Sequence, residues 1–166
     1  MYFSSYVVEV NIKMLIQVNK NMLKLTIELV PKTSWCSNVR TKTARAQWDK
    51  IRLKCYNDAH DMCEICGKTG TNGRIECHEI WDYDDENHIQ KLIGLIALCP
   101  KCHQVKHAGL AQIKGKINEV ISQLSKINKI SNYDAEEMLR EAFMQYHSRS
   151  CHEWTVDISY IDEYLK

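Results

Sequence analysis

Two cysteine pairs of equal spacing, Cys63-x2-Cys66 and Cys99-x2-Cys102, are the residues of this chain best suited to chemistry. A CxxC turn lets two thiolates reach one ion, and two such turns complete the tetrahedral sulfur set that zinc favours. Four thiolates close the coordination sphere, so a zinc held this way is structural. Beside the pairs stand Glu76-Cys77-His78-Glu79 and His103-x3-His107, more metal-competent side chains than one closed zinc consumes. His103 and His107 are four residues apart, which puts both imidazoles on one face of a helix. They can grip a second, open ion, with His78 or Cys77 from a preceding strand as the third ligand and a position left for water. Such an ion, with a basic group nearby, suits hydrolysis. Adjacent strand residues point to opposite sides. Of His78 and Glu79, one therefore binds metal while the other positions or activates water.

The rest of the chain must fold around these groups. Its 166 residues suffice for one domain with extensions, and 45% apolar against 26% charged residues predicts a packed core rather than disorder. A net charge of +1 neither demands nor excludes nucleic acid, because a basic face can hide in a neutral total. Met1 to Ser5 carries no positive charge and Lys13 interrupts the apolar stretch that follows, so no secretory signal is read there. No apolar run reaches the ~18 residues of a membrane span. The expectation is a cytoplasmic chain without a membrane partner, whose eight cysteines include metal ligands rather than a disulfide framework.

Four regions follow. Residues 1–21 are an N-terminal extension in which Val8, Val10 and Ile12 alternate with polar residues, and Met22 is a candidate true start. Residues 22–62 hold a strand over Leu23, Leu25, Ile27 and Leu29, ending at Pro31, and a helix from Thr43 to Tyr56 with Thr43 as its cap. Trp48, Ile51 and Cys55 share one face of that helix. Arg40, Lys42, Arg45 and Arg52 form the best basic strip of the chain, a candidate phosphate-contacting surface. Residues 63–108 are the metal module: a strand over Ile75 to Trp81, an acidic loop Asp82 to Glu86, a short apolar element within 87–96, and a helix opening near Cys102. Residues 109–166 are a C-terminal helical scaffold packed as one domain with the rest. It carries an inward stripe Ile113, Ile117, Val120, Ile121 and Leu124, a helix over Asp134 to Tyr146, a closing strand at Trp154 to Ile158 and a last helical turn.

The order CEIC, IECHEIW, LIALCPKCHQVKH over residues 63–107 resembles the HNH endonuclease superfamily with its ββα-metal fold. From about Leu23 onward, through WCSNVR, QWDKIR and ECHEIWDYDD, the chain also looks like small bacterial and phage HNH proteins. The resemblance implies an α+β fold: a ββα-metal core stapled by a zinc on four cysteines, with flanking helices and an N-terminal strand. In that family a strand histidine draws a proton from the water that attacks a phosphodiester. A neighbouring strand residue and a helix histidine bind magnesium, manganese, zinc or nickel. Carried over, His78 takes the strand position, His103 the helix position, and His107 the place one turn later. His78, Glu79 and His103 become the catalytic set, and His78, His103 and His107 the ligands of the catalytic ion. Two departures stand out. The usual strand doublet is His-His or Asp-His, and here it is Cys77-His78 or His78-Glu79. The middle Asn falls near Gly94, with Asn87 the nearest asparagine. The implied activity is metal-dependent hydrolysis of phosphodiester bonds in double-stranded DNA, with structural Zn2+ and catalytic Mg2+ or another divalent ion. The alternative is a non-catalytic zinc module that binds nucleic acid or protein.

Overall fold

A computed structural model describes residues 23–70 and 73–165. The 1–21 extension and a start at Met22 lie outside the described residues. In chain order the elements are α1 (Val39–Lys42), α2 (Arg45–Asp58), β1 (Glu76–Asp84), β2 (Ile89–Leu98), α3 (Pro100–Lys106), α4 (Ala108–Ile113), α5 (Ile117–Asn128), α6 (Asn132–Arg149), β3 (Thr155–Asp157), a 3-10 turn (Ser159–Ile161) and α7 (Asp162–Leu165). This is an α+β fold on a three-stranded sheet of order β1-β2-β3. β1 and β2 run antiparallel with His78 opposite Ile96, and β3 runs parallel to the start of β2. No helix among the described residues is long and apolar enough to cross a membrane.

The hairpin is longer than the sequence pattern suggests. Asp82 and Asp84, expected in an acidic loop, belong to β1 as exposed residues alternating with half-buried Trp81 and Tyr83. The alternation holds because, near the hairpin tip, one side of β1 extends past the packed elements into solvent. Asp84 then closes the turn, accepting from the Glu86 amide at 3.1 Å, the Asn87 amide at 2.9 Å and Asn87 Nδ2 at 2.7 Å. Asn87 therefore serves the hairpin tip, at the far end of β1 from His78. The stretch 87–96, expected as a short apolar element, is most of β2. Gly94 pairs with Ile80 beside a bulge in β2, where Ile93 is the extra residue, and a Cβ on Gly94 would stand 3.3 Å from Ile80 Cδ1. A side chain at that position would have to push the end of Ile80 aside by a few tenths of an ångström.

Two apolar cores flank the sheet. On one face Leu98, Val105, Val120, Leu124 and Ala135 pack with the clustered cysteines; on the other Val39, Ile51, Leu92 and Ile161 pack with Trp48 and Trp81. The helical stripe of α5 holds at Val120 and Leu124, both buried. Ile113, expected in the same stripe, is 78% exposed because α4 ends there and Gly115, at φ +67°, turns the chain before α5. Thr43 does not cap α2. Its hydroxyl donates to the Val39 carbonyl at 2.8 Å, and the Gln47 side chain instead accepts the Ala44 amide at 3.0 Å.

Residues 23–30 form no strand. Leu25, Ile27 and Leu29 do enter the core as the alternation predicts. Their backbone finds other partners: the Asn128 amide brackets Leu25, accepting from its N–H at 3.0 Å and donating to its carbonyl at 2.7 Å, and the Glu28 amide donates to the Lys106 carbonyl at 3.3 Å. A period of two reports extended backbone and sidedness, while ladder pairing also needs a neighbouring strand.

Candidate metal centre

The first centre is built by two turns brought edge to edge. Gly67, at φ +68°, lets the chain reverse so that its amide donates to the Cys63 carbonyl at 2.8 Å. Glu64 ties this knuckle to the end of β2, accepting the Ala97 amide at 2.6 Å. Cys99 and Cys102 stand at the start of α3, where Pro100 opens the helix. One sulfur from each of Cys63, Cys66, Cys99 and Cys102 lies within 4.8 Å of the others. Cys66 Sγ and Cys99 Sγ are 3.7 Å apart. That is far too long for a disulfide, and it matches the ~3.8 Å edge of a tetrahedron whose metal–sulfur bonds are ~2.3 Å. Gln123 Nε2 donates to Cys102 Sγ at 3.3 Å, a neutral donor of the kind that steadies a thiolate. Hydrogen bonding from Cys102 holds the Cys63 thiol down to about 4, while the Cys102 thiol is pushed up in turn. Four sulfurs at tetrahedral spacing, one of them receiving a neutral donor, fit a zinc ion.

The second centre lies on the α3 side of β1. His78, His103 and His107 also each offer a nitrogen within 4.8 Å of the others. The ring centroids are 5.2 Å (78–103), 4.9 Å (78–107) and 4.5 Å (103–107) apart, all edge to face. His103 Nε2 and His107 Nε2 are 3.0 Å apart, so two nitrogens converge on one point from successive turns.

Two carboxylates hold these rings from behind. Glu76, on the same side of β1 as His78, accepts from His103 Nδ1 at 2.5 Å, and Arg74 Nη2 donates to its other oxygen at 2.6 Å. An ionised carboxylate only accepts, so the His103 proton sits on Nδ1 and the lone pair on Nε2 faces His107. His78 Nε2 lies 3.2 Å from Glu28 Oε2. By the same reasoning its proton is on Nε2 and its free nitrogen is Nδ1. The other Glu28 oxygen takes the buried ammonium of Lys106, which also donates to Thr26 Oγ1 at 2.9 Å. Burial alone would push the Glu28 carboxyl up. The His78 hydrogen bond and the Lys106 charge outweigh it and hold the group down to about 2. Metal-binding imidazoles commonly donate their other N–H to a carboxylate in this way, which fixes both tautomer and ring orientation. Glu28 does not stand out in the sequence, and Glu76 is visible there only as part of the metal-competent run 76–79, with no role assigned to it. The one signal is that Glu76 lies two residues before His78, on the same strand face.

Comparison of the chain with protein-family models, with curated proteins and with solved structures finds no match. The chemistry of the site is therefore read from its residues.

The strand neighbours of His78 turn away from the imidazoles. Cys77 packs against Cys55 of α2, and that contact pushes its thiol up. Glu79 Oε1 accepts the Val39 amide at 2.7 Å at the start of α1. Both lie on the α1–α2 side of the sheet, so the structure does not bring Glu79 to the three histidines. A carboxylate from the acidic run does not reach them either: Asp85 pairs with Arg149 Nε and Nη2, each at 2.7 Å, beyond the hairpin tip. The basic strip is brought to the centre. Arg40, Arg45 and Arg52 line a cleft of about 850 Å3 together with Glu76, Cys77 and His103. Lys42 does not line it.

Withdrawal from water, followed by the charges of its neighbours, lowers His103; His107 lies exposed at the surface, yet crowding by the protein around its ring and then the charges of His103 and His78 lower it too, toward about 3. Because the folded value lies below the ordinary ~6.5 of histidine, the unfolded chain binds the extra proton first. The contribution of His107 to stability is complete above pH ~6.5 and fades as the pH falls toward 3. In protein loaded with zinc at the cysteines alone, the ring proton signals of His107 should titrate with a midpoint clearly below the ordinary ~6.5 of histidine. A midpoint near 6.5 would contradict this geometry.

Proposed function

We propose that this chain is a metal-dependent nuclease of HNH type that hydrolyses phosphodiester bonds in DNA. The observation that carries the reading is the convergence of His103 Nε2 and His107 Nε2, 3.0 Å apart, beside His78 and a cleft lined by arginines. The order of a β hairpin, a Cys pair and a helix that bears His103 and ends at His107 is also what the HNH resemblance expects.

Three imidazoles are a nitrogen donor set. They suit zinc, nickel or another late transition metal better than magnesium, which favours carboxylate and water oxygens. An ion bound there would polarise the scissile phosphate and lower the pKa of a bound water. The protein's own groups do the rest. Glu76 and Glu28 fix which nitrogen of His103 and His78 is free. His78 is 6% exposed, a setting for a ligand rather than for exchange with bulk water. Lys106 neutralises Glu28, so the carboxylate behind His78 does not add a net negative charge where phosphate must approach. Arg40 and Arg45 make no ion pair among the described residues and are available to phosphate oxygens.

The test is cleavage of supercoiled plasmid by zinc-loaded protein with added magnesium, manganese, nickel, cobalt or zinc. Nicked or linear product is expected, with the transition metals ahead of magnesium, and His78→Ala should remove it while the cysteine-bound zinc stays. Retention of DNA without cutting under every metal would leave the non-catalytic zinc module in place of the enzyme.

A further inference from the structure

We propose that the cleft beside the imidazoles receives one unpaired polynucleotide strand, rather than an intact duplex. The cutting of that strand rests on the nuclease reading above; its binding does not. The argument begins with α2. Arg45, Trp48, Arg52 and Tyr56 follow one another at spacings of three, four and four residues, so they form one stripe along the helix, and all four line the cleft. At the rise of an α-helix that stripe is about 16 Å long. It alternates cation, aromatic, cation, aromatic.

Each member has a use for a single strand. Arg45, and Arg40 beside it, are exposed and make no ion pair among the described residues. Arg52 is held by Asp49 Oδ1 at 2.8 Å, which fixes its guanidinium in place. Trp48 and Tyr56 are half-buried, each packed on one side against a core and bordering the cleft on the other. A positive groove interleaved with aromatic rings is the general recipe for binding strands whose bases are unstacked. A duplex keeps its base faces inside the stack and offers such a groove only phosphates, leaving the aromatic half of the stripe unused. The cleft volume of about 850 Å3 falls among pockets of ~300–1,000 Å3 that enclose small ligands, a size suited to nucleotides drawn in rather than to a whole duplex. His103 borders the same cleft, so a strand lying along α2 passes its backbone by the ion-binding nitrogens.

The chemistry used, phosphate and base face, is common to DNA and RNA strands. The experiment separates them. Labelled oligonucleotides of one sequence, as single-stranded DNA, single-stranded RNA and hairpin duplex DNA, are titrated by fluorescence anisotropy with zinc-loaded protein and no other divalent ion. At least one single strand should bind ten times or more tighter than the duplex, and the tighter of the two names the sugar. Arg45→Ala and Trp48→Leu should each weaken strand binding about tenfold, and Lys126→Ala, on α5 and outside the cleft, should leave it unchanged. Circular dichroism and the zinc content identify any variant that misfolds; Arg45, exposed, is the variant that keeps the test decisive if Trp48→Leu does. Equal or tighter duplex binding overturns the proposal, as does an Arg45→Ala protein that binds strands like wild type. Tight strand binding with no cleavage under any metal would sink the nuclease reading and leave the strand site standing.

Discussion

Cys102→Ser is expected to abolish the cooperative unfolding transition of this protein, and removal of zinc by a strong chelator to do the same. Cys102 is fully buried at the base of α3, and its sulfur sits among the four that converge. The loop of residues 67–98 contains the whole β1–β2 hairpin, and a metal held by the four cysteines would close it on itself by joining the Cys63–Cys66 knuckle to α3. Structural zinc in such settings contributes about 10–16 kcal/mol of apparent binding free energy. A domain of ordinary stability has only about 5–15 kcal/mol in total. The remaining apolar contacts therefore do not hold the native state without the metal. Thermal and denaturant melts followed by circular dichroism, alongside elemental zinc analysis, measure this. Cys151→Ser, at an exposed cysteine outside the cluster, is the control and should melt like wild type. A Cys102→Ser protein that melts at the wild-type temperature would show that the thiolates do not staple the fold.

A second large effect is expected at His103. With Ala in its place, one of the two converging nitrogens is lost and the Glu76 carboxylate is left facing an emptied pocket. Under the nuclease proposal, losing Lewis-acid stabilisation worth several kcal/mol corresponds to a fall of about 1,000-fold or more in kcat/KM. Glu76→Gln is the informative companion. It keeps the ligand but replaces an acceptor-only carboxylate by an amide, so the Nδ1 proton of His103 is no longer fixed. Changes in such outer partners cost about 10–100-fold in metal affinity or activity. The ordering wild type, then Glu76→Gln, then His103→Ala should hold both for cleavage of a labelled oligonucleotide and for cobalt affinity followed by its visible absorption. The zinc at the cysteines should remain at one per chain throughout. Full cleavage by His103→Ala would remove the second ion from the mechanism.

These residues show what a single sequence discloses and where it goes silent. CxxC pairs and an H-x3-H spacing are local, so the backbone alone brings their atoms together, and both sets converge in the fold. The stripe of α5 is legible for the same reason, since Val120 and Leu124 repeat with the helix. Glu28 is invisible in the sequence because its partners, His78 and Lys106, lie 50 and 78 residues further on, and no periodicity reports a contact across such a span. The alternation of Leu25, Ile27 and Leu29 tells which side chains go inward but not that a side-chain amide, rather than a strand, satisfies the backbone of Leu25. Glu79 looks as close to chemistry as His78 in the sequence. One step along a strand turns it to the opposite face, where α1 offers it an amide.

The strap of residues 23–30 has an architectural consequence. The knuckles, hairpin and short helix over 63–107 read as a portable cassette, yet the anion that steadies the β1 imidazole arrives from a stretch far upstream that crosses over the helix and is pinned there by a buried ammonium. A fragment of residues 63–107 alone would keep both cysteine pairs and lose Glu28, leaving His78 Nε2 and the buried Lys106 ammonium without the carboxylate that now joins them.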